Sequence, residues 1–337
     1  PPCADSIPRY DPPLVRTVFV RLAPILHLTR VTTAFAAVGN VWFVILWTRA
    51  AAENESGRLA SSSLPVLLTG GGAMAVALFA FANALNDTLD LRRDRVLHPR
   101  RPLPSGRLNL DAAIGFLVLS LMAAVLGATA LGTPAVLMCL LTAGAVFFYN
   151  AAARFVPSVG LVALSLIYGA HMMIPNVDLV FVWPVWLVMT HALLVAAVTH
   201  RLSERRPTLS PAAIVAATLG WVFWSGVLLY VGASRAGALW PAYVRPVAAI
   251  GPLALAAIYA IMSWRRVRQI GLGPRAADKV SRYGALWLTL YQTAWLIGQG
   301  YMHEAAILGG LAAVGFLGMT VLRELYAAIE QPLAYRR

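Results

Sequence analysis

Ten stretches of about 20 residues, nearly all apolar, run through this chain from end to end. They fall roughly at 25–47, 64–86, 110–131, 133–150, 158–175, 179–199, 211–232, 241–263, 283–300 and 304–322. About 20 consecutive apolar residues are what an α-helix needs to cross the hydrocarbon core of a bilayer. Helices suit that solvent because they satisfy their own backbone hydrogen bonds. The stretches use most of the 337 residues and leave no room for a sizeable soluble domain. The expected fold is all-α: one polytopic transmembrane helical bundle over residues 25–325, between a polar N-terminal tail, 1–24, and a C-terminal tail, 326–337. Pro1, Pro2, Pro8, Pro12 and Pro13 crowd the first tail, which has no apolar segment of the kind a cleavable signal needs.

Charge supports the same reading. Only 12% of the residues are charged, about half the roughly 25% of a soluble domain. Two cysteines, Cys3 and Cys139, exclude a disulfide scaffold and a Cys-based zinc module. The net charge of +13 would suggest nucleic acid in a soluble protein. Here its distribution explains it. With the N-terminus cytoplasmic and ten spans, all but four of the 27 basic residues fall on the cytoplasmic side. The four are Arg49, Arg58, Arg235 and Arg245. This is the positive-inside pattern, so the charge reports topology and nucleic acid is not an expected partner. The expected location is a cytoplasmic membrane of bacterial type.

Carboxylates are scarce, 14 in the whole chain, yet Asp87, Asp90 and Asp94 fall within eight positions at the end of the second stretch. On a continuing helix they occupy i, i+3 and i+7 of one face, with Asn83 or Asn86 beside them. Like charges on one face repel unless a cation or Arg partners relieve them. Mg²⁺ is typically held by one or two carboxylates plus substrate phosphates. The alternative is a solvated helix end with local Asp–Arg pairs. The next residues, His98-Pro99-Arg100-Arg101-Pro102-Leu103-Pro104-Ser105-Gly106-Arg107, favour the first reading. Their prolines predict an extended loop, Gly106 allows a turn, and Arg101 and Arg107 can meet phosphate oxygens beside the carboxylates.

Asn86-Asp87-x-x-Asp90-x-x-x-Asp94 followed by Arg101-Pro102-Leu103-Pro104-Ser105-Gly106 resembles the first signature of the UbiA superfamily of intramembrane prenyltransferases. The resemblance is tight over 83–107 and covers most of the chain in topology. Members usually have nine helices, so nine or ten spans are expected here. The resemblance implies a polyprenyl diphosphate substrate, an acceptor, Mg²⁺ as cofactor, and an active site open to the cytoplasm and to membrane lipid. It also makes Tyr149 and Arg154, at the end of the fourth stretch, similar to the family's Tyr and basic residue that help hold diphosphate. Arg30, in the first stretch, is a further candidate for phosphate. CDP-alcohol phosphotransferases also use aspartates at a membrane surface, but their pattern needs Gly and then Ala-Arg where Leu91 and Arg92 stand.

The family's second aspartate-rich signature corresponds to Thr199-His200-Arg201-Leu202-Ser203-Glu204-Arg205-Arg206-Pro207. His200 and Glu204 stand at i and i+4, which on a helix is one face. Glu204 is the only carboxylate there, a degeneracy similar to EboC-type members. The resemblance thus implies Asp87, Asp90 and Asp94 as metal ligands, with Glu204 as a further one. Asn83, Asn86, Arg30, Arg101, Arg107, Tyr149, Arg154 and Arg201 are implied to bind substrate. Asp87, Asp90, Glu204 and His200 are implied in catalysis, the last two as proton acceptors. The alternatives are a non-catalytic lipid- or metabolite-binding or transport protein on the same scaffold, and a membrane terpene cyclase. Asn40, Asn176, His171 and His191, polar groups in apolar stretches, are expected to bond between helices.

Overall fold

The computed structural model describes residues 34–51, 59–99, 101–204 and 206–330. Arg30 lies outside them. Among the described residues the chain is helical, without strands. The helices are α1 (Phe35–Ala50), α2 (Leu64–Leu89), α3 (Leu91–Leu97), α4 (Leu110–Thr129) and α5 (Thr133–Ala151). After a 3₁₀ turn, Ala153–Phe155, come α6 (Pro157–Met173), α7 (Trp183–Leu202) and α8 (Pro211–Ala236). A second 3₁₀ turn, Pro246–Ala249, leads into α9 (Ile250–Ile270), α10 (Pro274–Gln299) and α11 (Met302–Glu330).

Local chemistry sets these boundaries. Proline stands in the first turn of α2, α5, α6, α7, α8 and α10, where its missing N–H loses nothing. Asn109 caps α4 by accepting from the Ala112 N–H at 2.7 Å, and Ser210 caps α8 through Ala213 at 3.2 Å. Gly300, at φ 94°, closes α10 in the left-handed region.

Among the described residues, six segments are long and apolar enough to cross a membrane: Leu64–Leu89, Leu110–Thr129, Thr133–Phe155, Trp183–Leu202, Pro211–Ala236 and Pro246–Ile270. Three shorter helices, Phe35–Ala50, Pro157–Met173 and Met302–Gly318, are also apolar. The fold is that of an integral membrane bundle. Contacts bring the turns together: Arg154, after α5, reaches Asp90 at the end of α2, and Leu202 at the end of α7 packs on Val267 near the end of α9 and on Ala276 and Val280 at the start of α10. The ninth stretch begins earlier than its hydropathy predicts. Helix α10 starts at Pro274 rather than near 283 and carries Arg275, Asp278, Lys279 and Arg282 in its first turns. Asp278 and Arg282 pair along the helix, which keeps a charged helical end at the interface.

Helix α1 is the axis of the bundle. Twelve of its 16 residues are buried, against α2, α6, α10 and α11. Helix α8 lies outside, burying only Ala217, Ser225 and Gly232. At the end opposite the aspartates, Trp47 stacks on Phe181 at 4.8 Å between ring centroids, and Trp240 and Trp295 meet Phe181 edge-on. Asn40 and His191 bond between helices as expected, whereas Asn176 lies in the loop between α6 and α7 and bonds from there to α1. Asn176 Nδ2 donates to Thr48 Oγ1 at 3.1 Å, and Gln292 Nε2 reaches Asn40 Oδ1 at 3.5 Å. His191 Nδ1 lies 3.2 Å from the Tyr291 hydroxyl and its Nε2 3.1 Å from the Gly284 carbonyl. His171 departs from this pattern, with its Nε2 buried and unpartnered among the described residues.

Helices α2 and α4 approach closely enough to need glycine. A Cβ on Gly127 would stand 2.6 Å from the Met74 nitrogen and 2.7 Å from the Gly70 carbonyl, both backbone atoms that cannot swing away. This close approach of small residues is a common membrane helix contact. Gly127→Val is therefore expected to destabilise the bundle by about 3 kcal/mol, the upper range for overpacking. A thermal melt in detergent beside Gly144→Val, where added atoms meet nothing, checks this.

Candidate active site

The second span delivers its aspartates to the end of the bundle on one almost continuous helix. Helix α2 ends at Leu89 and α3 begins at Leu91, with Asp90 at φ −84° and ψ 0° between them. The helical ladder survives this bend. The Asp90 N–H donates to the Asn86 carbonyl at 3.0 Å, and the Asp94 N–H to the Asp90 carbonyl at 2.8 Å. Asp87, Asp90 and Asp94 therefore keep the shared face that their spacing predicts. Asp87 and Asp94 are only 6% and 3% exposed.

Such burial requires partners. Arg92, Arg93 and Arg95 beside the aspartates are exposed, and two arginines brought from other segments are among the partners. Arg154, on the 3₁₀ turn between α5 and α6, grips Asp90 with both ends of its guanidinium. Nη2 lies 2.6 Å from Oδ1 and Nη1 3.0 Å from Oδ2. The same Nη1 donates to Asn86 Oδ1 at 2.8 Å. With its oxygen so engaged, Asn86 turns Nδ2 to Asp87 Oδ1 at 3.1 Å. Arg101 closes the other side, 2.6 Å from Asp94 and 3.6 Å from Asp87. One polar chain results: Asp90, Arg154, Asn86, Asp87, Arg101, Asp94.

The segment that carries Arg101 differs from its expectation. Residues 101–108 wind through successive turns rather than extending. The Ser105 N–H bonds to the Arg101 carbonyl and that of Leu108 to the Pro102 carbonyl, at 3.0 and 3.1 Å. Gly106 supplies the left-handed turn at φ 73°. Leu103 anchors the loop by packing on Ala84 and Ala113. Arg107 is exposed and donates from Nε to Ser105 Oγ at 3.2 Å.

The remaining expected residues are placed as follows. Asn83 turns back on its own helix, donating to the Phe79 carbonyl at 2.8 Å. Tyr149 is half-buried at the end of α5. Beside it stands Asn150, a residue that spacing alone does not single out. It is buried and donates to the Val146 carbonyl, but its Oδ1 has no partner among the described residues. Arg154 Nε, one turn on, is also buried and unpartnered.

The pairing of His200 with Glu204 on one helix face is corrected by the structure. Helix α7 ends at Leu202, Ser203 caps it, and Glu204 adopts φ 48° on an exposed turn. His200 instead places Nε2 3.0 Å from the Pro207 carbonyl, and Arg201 is exposed. Pro207 contributes to the end of α7, since it offers no N–H to the Ser203 carbonyl and its ring would clash with it if the helix ran on.

The donor set suits Mg²⁺ with a phosphate ligand. Carboxylate oxygens are the hard donors Mg²⁺ takes, and Asp87, Asp90 and Asp94 bring three such groups to one face. No group of three His, Cys, Asp or Glu side chains forms a ready-made metal cage among the described residues. The buried Arg154 Nε, unpartnered among the described residues, is a further donor beside the carboxylates.

Comparison with known proteins identifies the family. Residues 41–288, more than half of the chain, match the UbiA prenyltransferase family. A digeranylgeranylglyceryl phosphate synthase of Methanothrix thermoacetophila is 33% identical over 107 residues, 32% of this chain and 36% of that protein. One from Haloquadratum walsbyi is 32% identical over 101 residues, 29% and 35% of the two chains. The match thus spans about a third of the length of these relatives. A solved structure concerning digeranylgeranylglyceryl phosphate synthase in membranes shares the fold. Its TM-score is 0.50 at 18% identity, over 83% of this chain and 98% of that one. The chain belongs to the UbiA prenyltransferase family.

Proposed function

We propose that this protein transfers a prenyl group from a polyprenyl diphosphate to an acceptor within the membrane, in a Mg²⁺-dependent reaction at the end of α2. The polar chain from Asp90 to Asp94 carries the reading: it gathers carboxylates for a cation and guanidinium groups for phosphate on one helix face. Asp87 and Asp90, with Asp94 beside them, are the residues that would hold Mg²⁺. Bound there, the cation would supply Lewis-acid stabilisation to the departing diphosphate. Arg154 and Arg101 offer fixed positive charge to the remaining phosphate oxygens, and Arg154 Nε, without a partner among the described residues, can make one more donation. Their stabilisation of developing negative charge favours breaking the C–O bond to the allylic carbon. The apolar bundle excludes water and so protects the allylic cation from hydrolysis. The prenyl tail enters from lipid and lies among apolar side chains. The acceptor attacks the cation, and Glu204, the carboxylate of the turn after α7, takes its proton. The active site opens to the cytoplasm. The names of the two relatives point to an acceptor bearing a glyceryl phosphate group.

Membranes carrying the protein, incubated with labelled geranylgeranyl diphosphate and a panel of glyceryl phosphate and aromatic acceptors, test this. Transfer is expected only with Mg²⁺ and is lost on chelation. Glu204→Gln is expected to lower turnover while leaving diphosphate protection against thermal unfolding unchanged. Protection by the diphosphate without turnover on any acceptor would make the protein a binding member of the family.

A further inference from the structure

Away from the aspartates, a second concentration of positive charge sits where α9 and α10 meet. Met262, Arg265, Arg266, Gln269 and Tyr283 line an open groove of about 360 Å³ there. Arg265, Arg266 and Arg268 have no carboxylate partner among the described residues. Two of them are held by neighbours that leave their charge intact. Arg268 lies over the Trp264 ring, 4.1 Å from its centroid, and Arg266 Nη1 donates to Gln269 Oε1 at 3.1 Å. The basic residues of α3, Arg92, Arg93 and Arg95, are exposed and carry comparable positive charge away from this groove.

The groove also has an apolar approach. Ile258, Ile261, Met262, Arg265 and Gln269 follow helical spacing and form one stripe along α9. Ile258, Ile261 and Met262 are exposed on a helix apolar enough to span a membrane, so they face lipid. The stripe changes from aliphatic to cationic within one turn, at the level where the exposed Trp264 suits the headgroup region. An aliphatic track ending in unneutralised guanidinium groups, a side-chain amide and a tyrosine complements a molecule with a hydrocarbon tail and a phosphate head.

We propose that the groove between α9 and α10 binds an anionic phospholipid, its phosphate on Arg265 and Arg266 beside Gln269 and Tyr283, and an acyl chain along Ile258 and Ile261. Arginine suits this role through its planar, multiply donating head. The site is separate from the reaction proposed above and does not depend on it.

The test uses the full chain purified in a neutral detergent and titrated with phosphatidylglycerol or phosphatidylcholine, bound lipid being counted by native mass spectrometry. Thermal melts of the same samples report folding. Phosphatidylglycerol is expected to bind saturably and to raise the melting temperature, phosphatidylcholine much less so. In R265Q/R266Q the affinity for phosphatidylglycerol is expected to fall about 25-fold, while the melt in phosphatidylcholine matches the parent. The control R92Q/R93Q removes equal charge from the same end of the bundle and is expected to keep parental affinity. Unchanged affinity in R265Q/R266Q, or an equal loss in R92Q/R93Q, would overturn the site. A parental shift reproduced by inorganic phosphate or glycerol phosphate alone would overturn the lipid assignment in favour of a free phosphate site.

Discussion

Replacing Asp90 or Asp87 with Asn is expected to lower prenyl transfer by about 10²–10³-fold, the scale for losing one preorganised charge-stabilising group at a reacting centre. The change is nearly isosteric, so its effect is electrostatic. At Asp90 it removes the anionic fork that Arg154 grips at 2.6 and 3.0 Å and leaves that guanidinium only neutral amide oxygens, the new one and that of Asn86. At Asp87 it removes an anionic oxygen from a group 6% exposed, where water cannot compensate. Both changes raise the net charge of the cluster and weaken its attraction for a divalent cation. Diphosphate release from labelled substrate across a Mg²⁺ titration checks this. Each variant should need more Mg²⁺ and still fall short of the parental maximum. Asp278→Asn is the control. Asp278 pairs with Arg282 on the exposed start of α10, and surface pairs of this kind contribute little. Parental release in both Asp87→Asn and Asp90→Asn would sink the assignment of these carboxylates.

The bundle is largely legible in the chain because lipid leaves few alternatives for apolar stretches of this length. The misplaced boundary is physical: the charges of Arg275, Asp278, Lys279 and Arg282 hide the start of α10 from a hydropathy reading, although the helix tolerates them at the interface. The aspartate face is legible because its three carboxylates share one helix and need only local spacing. Their partners are another matter. Arg154 reaches Asp90 across 64 positions and Asn86 across 68, and the residues themselves do not encode that approach. Only the family resemblance picks out Arg154, and only the structure shows that it grips Asp90. Asn150 carried no signal at all, since a buried amide with one unused oxygen is a tertiary fact. The His200–Glu204 pairing fails in part for a local reason that was readable: Pro207 lies three residues after Glu204, where its ring and missing N–H work against a continuing α7.

Arg154 tests whether the cluster is structural, functional or both. Arg154→Ala leaves Asp90 charged and 13% exposed with no cation beside it, which is expected to destabilise the protein by about 3 kcal/mol. It also frees Asn86 from the contact that orients it toward Asp87, so activity should fall further than stability alone explains. Arg154→Lys should rescue little. A single ammonium cannot span both oxygens of Asp90 and the Asn86 oxygen in the fork that guanidinium provides. The decisive measurement is the pair of changes together. Asp90→Asn combined with Arg154→Ala removes both charges, so its melting temperature should recover toward the parent and exceed that of Arg154→Ala alone. Activity should not recover, because the double variant lacks both a cation ligand and a phosphate donor. Recovery of activity along with stability would show that the Asp90–Arg154 pair only holds α2 to the α5–α6 turn, and that the diphosphate is gripped elsewhere.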